Sequence, residues 1–233
     1  MCVRYTLHKT DAALQAISRA LGYPLDAPDW AGPRYNVTLT DTMPVVARGA
    51  APAEVRPMRW GLVPFGERGK KSPRLLANAR SETALTLPAF RRSVAARRCL
   101  VPANGFYEWL SSGGVKLPHL FTLAGEEPFA LAGIWEPPAD NLPETYCVLT
   151  TEPNALVARV HNRMPVILAA DAMARWLGDT PLDPAEFQLL TRPLDPGRME
   201  SRPVSRYMSN SRHEGPRCLA PPDESPELEF DFA

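Results

Sequence analysis

The chain has 233 residues, of which 45% are apolar and 22% charged, and its formal net charge is zero. That length can bury a full core as one domain or two small ones, and the composition is ordinary for a globular protein. No stretch is apolar for long enough to span a bilayer, and no basic flank precedes an apolar run at the N-terminus, so neither a membrane span nor a signal peptide is expected. In chain order, the first periodic segment is residues 11–21. Leu14, Ile17 and Leu21 form an i, i+3, i+7 stripe behind a capping Asp11, which predicts a short helix. Residues 23–32 are proline-rich and read as loop. Short apolar runs follow at 44–46, 59–63, 99–101, 106–109, 119–123, 129–135, 146–150 and 166–168. Each is bounded by Gly, Pro or Asn, the punctuation of strands and turns. Residues 111–114, Ser-Ser-Gly-Gly, read as the loop of a hairpin between 107–110 and 117–123. Further helices are predicted near 88–96, 153–160 and 171–177. The 26 prolines exclude long uninterrupted helices. The sum is an α+β chain, strand-rich with several short helices. The acidic, proline-containing segment 221–233 is expected to be a disordered tail.

The four cysteines, Cys2, Cys99, Cys147 and Cys218, lie far apart and show no metal-ligand spacing. The four histidines are equally scattered. No metal and no cofactor is expected, and a reduced cytoplasmic compartment fits the cysteine usage. The zero net charge conceals an asymmetry. Residues 1–120 carry 17 Lys and Arg against 8 Asp and Glu, whereas residues 121–233 carry 9 against 18. Such a split points to a polyanion partner. The basic excess is densest between Arg59 and Arg98, which reads either as a phosphate-binding face or as a solvated surface.

Cys2 is the most informative single residue. Once Met1 is removed, it carries a free α-amine and a thiol on adjacent carbons. The amine titrates at about 7.7–8.0 and a free thiol at about 8.5, so both are poised near neutral pH. An amine condenses with an aldehyde to an imine, and a thiol so placed closes on the imine carbon to give a thiazolidine. Three other segments place polar residues at strand or helix ends: 78–83, 104–109 and 159–165. Glu108 lies between aromatic residues in a β-type run, where burial would raise its pKa and suit it to general acid work; the alternative is a strand carboxylate facing water. His161 follows a predicted helix and precedes a strand, as a catalyst or as a structural imidazole.

Taken together, Met1-Cys2, Arg34-Tyr35-Asn36, Arg59-Trp60-Gly61-Leu62-Val63-Pro64, Asn78-Ala79-Arg80-Ser81-Glu82-Thr83, Gly105-Phe106-Tyr107-Glu108-Trp109, Thr150-Thr151-Glu152-Pro153-Asn154, His161-Asn162-Arg163-Met164-Pro165 and Pro203-Val204-Ser205 resemble the SOS-response-associated peptidase (SRAP) family. The blocks run in the family's order from residue 1 to about residue 220. The resemblance implies one domain over 1–220 with a barrel-like antiparallel core. It also implies covalent capture of abasic sites in single-stranded DNA through Cys2. Asn78 matches a residue that positions the N-terminus and the sugar. Glu108 matches the acid-base that assists ring opening and imine formation, and His161 a second acid-base at the sugar. Arg4, Asn36, Arg80, Thr150 and Arg163 match positions that approach the DNA backbone or the abasic sugar. Three departures stand out. Val3 replaces a glycine after the cysteine. Thr38-Leu39-Thr40 replaces an Ala-Pro-small turn. Phe65-Gly66 replaces a segment that usually carries tryptophan, so either Phe65 stacks beside the lesion in its place or the grip on DNA is weaker. The expectation is a monomeric cytoplasmic protein that binds single-stranded DNA. Two rivals stay open: a thiol peptidase whose substrate includes its own Met1, and a non-catalytic single-strand binder.

Overall fold

The computed structural model describes residues 2–48, 52–139 and 141–222. Met1 and residues 223–233, most of the predicted tail, lie outside them. β1 (Tyr5–Leu7) leads into α1 (Thr10–Leu21). The helix starts one residue before the predicted position. Lys9 stands at the cap, where its side chain makes no capping bond, while Asn104 Oδ1 accepts its N–H at 2.8 Å. Asp11 therefore sits in the first turn rather than at the cap. The predicted stripe buries Leu14 and Ile17. β2 (Arg34–Val37), β3 (Thr42–Arg48), β4 (Ala53–Trp60) and β5 (Asn78–Arg80) precede two short helices, α2 (Ser81–Ala84) and α3 (Arg91–Ala96). β6 (Arg98–Ala103), β7 (Gly105–Ser112), β8 (Val115–Leu123), β9 (Phe129–Glu136) and β10 (Thr145–Thr151) form the central run of strands. The chain then passes through β11 (Met164–Pro165), β12 (Ile167–Leu168), α4 (Ala170–Leu177), α5 (Pro184–Leu190) and β13 (Met199–Pro203).

β10 pairs with β4, β4 with β3, β3 with β6, β6 with β9, and β9 again with β10, so five strands close a ring. Most pairings are antiparallel, as expected, but β10 runs parallel to both β4 and β5. The cause is a strand interrupted in mid-course. β4 leaves β10 at Trp60, opposite Tyr146, and β5 resumes the same edge at Asn78, opposite Val148. Residues 61–77 are thus an excursion whose two ends return to one strand. Gly61 opens it with φ +117°, where a Cβ would also come within 3.3 Å of Leu39.

A second sheet, in the order β13-β8-β7-β1-β2, lies alongside. The β7–β8 hairpin is tighter than the sequence suggested. Ser112 pairs directly with Val115, leaving Gly113 and Gly114 at φ +55° and +77° as a two-residue turn. Two positive φ values are what such a hairpin turn requires. The predicted helix at 153–160 contracts to one 3-10 turn, Val157–Arg159. There Asn154 Oδ1 takes the Val157 N–H at 3.0 Å. Inside the ring, Trp60 stands between Tyr5 and Tyr146, and the two tyrosine hydroxyls meet at 2.9 Å. Among the described residues no helix is long and apolar enough to cross a membrane.

Candidate active site

Cys2 has no exposed surface and belongs to the apolar cluster that holds Tyr5, Trp60, Phe106 and Tyr146. Its thiol donates to the Arg4 carbonyl at 3.7 Å. Burial pushes the thiol pKa far above its ordinary range, and the neighbouring Glu108 carboxylate adds to the rise. Cys2 is therefore held as a thiol rather than a thiolate. Asn78 reaches it because β5 resumes beside β10. Its Nδ2 donates to the Cys2 carbonyl at 2.8 Å, while its Oδ1 is buried with no hydrogen-bond partner among the described residues.

Glu108 comes from β7 and is 2% exposed. Strand alternation puts it on the face of Phe106, away from Tyr107 and Trp109. Burial raises its carboxyl pKa to about 7. His161 Nδ1 lies 3.9 Å from Glu108 Oε1. The same Nδ1 lies 3.1 Å from the Arg163 amide nitrogen and 3.2 Å from the Arg163 carbonyl oxygen, so the Arg163 backbone fixes the orientation of the ring. Burial lowers the His161 pKa, so the ring is neutral near pH 7. A carboxyl poised between its two states beside a neutral imidazole gives one locus both a proton donor and an acceptor. Cys2, Asn78, Glu108 and His161 thus converge from the N-terminus, β5, β7 and the segment before β11.

Thr150 and Arg163 stand at the end of β10. Thr150 is fully buried, and its carbonyl takes a hydrogen bond from Arg163 Nη2 at 2.8 Å. Arg80 pairs with Thr150 across the β5–β10 ladder, and its side chain is exposed.

Arg4 and Asn36 turn inward. Asn36 is 1% exposed, and its Nδ2 serves the carbonyls of Met208, Asn210 and His213 at 2.8–3.0 Å. Arg4 Nη1 bonds to Asn36 Oδ1 at 2.8 Å and to the Met208 carbonyl at 3.1 Å. Together they strap the segment after β13 against β1 and β2, next to Cys2. Asn36→Ala would remove the Asn36 donor from the Asn210 and His213 carbonyls and leave the Met208 carbonyl to Arg4. An urea melt should show a loss of about 2–4 kcal/mol, and a loss below 0.5 kcal/mol would mean the strap does not depend on Asn36.

Phe65 is 58% exposed in a 3-10 turn of the 61–77 excursion. Arg68 and Arg92 lie over its ring at 5.5 and 4.5 Å. Arg68 in turn binds Glu136 at 2.6 Å, and Glu136 pairs with Thr145 at the opposite end of β10 from Thr150. The basic run is also partly structural. Arg97 joins Arg68 on Glu136, and Arg98 is buried with its guanidinium on the carbonyls of Trp176, Val94 and Thr180, among others. Sequence reasoning missed Glu82, whose carboxylate meets Arg163 in a fork. It also missed the strap, because both depend on side chains far apart in the chain. Among the described residues no group of three or more His, Cys, Asp or Glu could hold a metal ion.

The chain is similar to the abasic site processing protein YoqW of Bacillus subtilis (strain 168), 32% identical over 191 residues that cover 80% of this chain and 85% of that one. It is also similar to the abasic site processing protein HMCES of Gallus gallus, 34% identical over 191 residues covering 70% of this chain and 56% of the relative. A crystal structure of a protein from Bacteroides thetaiotaomicron superposes with a TM-score of 0.80 at 25% identity, covering 94% of this chain and 99% of that one. The same strand-rich fold is therefore present in both. The family model for SOS response associated peptidase (SRAP) matches residues 1–211, and the chain belongs to that family.

Proposed function

We propose that this protein processes abasic sites in single-stranded DNA by forming a thiazolidine at Cys2. The observation that carries the reading is the convergence of a buried Cys2, Asn78 on its carbonyl, and the Glu108–His161 pair. The names of the similar proteins supply the substrate class.

An abasic deoxyribose equilibrates between a closed ring and an open aldehyde. Glu108, protonated, gives its proton to the ring oxygen as the C–O bond breaks, and its vacated carboxylate takes the proton of the anomeric hydroxyl as that oxygen becomes the aldehyde, which restores Glu108 as an acid. The Cys2 amine adds to the aldehyde carbon to give a carbinolamine. Glu108 or His161 protonates the departing hydroxyl, water leaves, and an imine forms. The Cys2 sulfur then bonds to the imine carbon, and the thiol proton ends on nitrogen. The sum is aldehyde plus aminothiol giving thiazolidine plus one water, with no oxidant or reductant. The high thiol pKa is consistent with sulfur attack as the final step, after the imine is in place. Asn78 fixes the Cys2 backbone through the whole sequence, and its buried Oδ1 is available to a substrate hydroxyl or to the amine.

While Met1 remains, the Cys2 nitrogen is an amide and cannot form the imine. The active protein is therefore expected to have a mass lacking one methionine. A residue added before Cys2 that resists removal should abolish the adduct without changing the thermal melt. The assay is an abasic single-stranded oligonucleotide run on a denaturing gel, paired with intact mass of the same sample. A sample fully retaining Met1 that still yields a heat-stable shifted band would overturn the mechanism. A peptidase would instead cleave a peptide panel, and a simple binder would shift only a native gel.

A further inference from the structure

Arg163, which the family resemblance matches to a position that approaches the DNA backbone or the abasic sugar, is already occupied. Its Nη1 and Nη2 fork onto the two carboxylate oxygens of Glu82, the second at 2.9 Å, and Nη2 also donates to the Thr150 carbonyl at 2.8 Å. The Arg163 side chain is 14% exposed and that of Glu82 49%. The Glu82 carboxyl is held below its ordinary pKa chiefly by the hydrogen bond from Arg163, with a smaller pull from Arg80. An arginine fork on two anionic oxygens is the geometry it offers to a phosphodiester. Arg80 approaches from the other side, since Arg80 and Pro165 pair with Thr150 from opposite edges of β10. The half-exposed Glu82 also lines a cavity of about 920 Å³ bounded by Ser81, Thr151, Glu152 and Arg192, so its carboxylate has open space to move into when displaced.

We infer that Glu82 is an internal surrogate for a DNA phosphate. It holds Arg163 in the DNA-free protein and gives way to a phosphodiester oxygen pair of the incoming strand. Arg163 therefore never stands as a bare cation in a half-buried site, where desolvation would be costly. Binding becomes an exchange of one anion for another on the same fork, so the free energy of the Glu82 pair is subtracted from the affinity for DNA. Weak, non-specific polyanion binding is suppressed, and a strand that makes further contacts at Cys2 is favoured. This inference rests on the reading that single-stranded DNA enters at Cys2.

The rival account is a splint, in which Glu82 orients Arg163 for the phosphate and stays in place. A double-mutant cycle separates the two. Binding of an undamaged single-stranded oligonucleotide is measured by fluorescence anisotropy at low and moderate salt. The proteins are the parent, Glu82→Gln, Glu82→Ala, Arg163→Ala and the Arg163→Ala/Glu82→Gln double variant. Thermal melts check that each is folded. Displacement predicts that both Glu82 variants bind roughly twofold to fivefold tighter, the upper range of one half-exposed ion pair. It also predicts that Glu82→Gln changes affinity by less than about 1.5-fold once Arg163 is gone. Arg163→Ala alone should weaken binding and flatten the salt slope by about 0.7. Weaker binding by Glu82→Ala would establish the splint and overturn the proposal. Equal tightening with and without Arg163 would also overturn it, since that is a general charge effect. A parent that binds no single strand at all would remove the DNA reading itself, whereas additive Glu82 effects in a parent that binds would remove only the surrogate.

Discussion

Cys2→Ala is expected to abolish the denaturation-resistant DNA adduct while leaving reversible binding of the single strand within about threefold of the parent. The alanine keeps an α-amine after Met1 is removed, so an imine can still form. It has no sulfur to close on the imine carbon, and an open imine hydrolyses when the protein is denatured. Trapping with a hydride donor before denaturation should therefore recover a band from Cys2→Ala that is missing without the donor. Cys2→Ser should behave the same way, because its hydroxyl is a much weaker nucleophile than sulfur. Losing a fully buried thiol leaves a small cavity, and the alanine should cost about 1 kcal/mol of stability. That cost is too small to unfold the domain, so a lost adduct would report chemistry rather than folding. A full-strength adduct in Cys2→Ala, stable to heat without any donor, would move the covalent step to another residue.

Much of this arrangement was legible in the sequence, and the reasons differ by element. Strands such as β6, β9 and β10 are continuous apolar runs because the barrel buries them on both faces, and a run bounded by turn residues is readable without partners. The short β5 was not readable, since Asn78-Ala79-Arg80 has neither length nor alternation. It is a strand only because β10 offers the edge that β4 vacated at Trp60. The same tertiary cause hid the parallel pairings. Glu108 could be suspected from its aromatic neighbours, and the structure gives it the burial that such a context implied. The strap formed by Arg4 and Asn36 was not readable, because their bonds to main-chain carbonyls of residues 208–213 join segments about 200 and 175 residues apart in the chain. Arg98 shows a limit of charge counting within the basic run, as a buried guanidinium bonded to the carbonyls of Trp176 and Val94. Charge counted along a chain does not distinguish a phosphate-binding arginine from one that organises loops.

Glu108→Gln is expected to slow adduct formation by about 10²–10⁴-fold, the usual contribution of a positioned acid-base group, while keeping the shape of the site. The pH dependence gives the prediction a second, independent reading. In the parent, the reactive form needs Glu108 protonated, which is lost as pH rises through about 7. It also needs the Cys2 amine neutral, which is gained through about 7.7–8.0. The single-turnover rate should therefore be bell-shaped, with its maximum between those values. In Glu108→Gln the alkaline limb should vanish, leaving a slow rate that only rises with pH. The stability sign runs the other way. Burial raises the Glu108 pKa from 4.5 to about 7, so the folded state holds this proton more tightly than the unfolded chain. The parent's stability from this group is fully present below about 4.5, is lost as pH rises to about 7, and is level above that. Glutamine carries no such proton. Glu108→Gln should match the parent near pH 4.5 and exceed it at pH 8 by on the order of 3 kcal/mol. A variant that is slower and yet more stable at pH 8 marks a carboxyl kept buried for its chemistry against the interest of the fold. Denaturant melts at the two pH values, beside single-turnover gels across pH 5–9, test both halves. Equal stability of parent and variant at pH 8 with an unchanged rate profile would reduce Glu108 to a structural carboxylate and leave His161 as the acid-base group of the site.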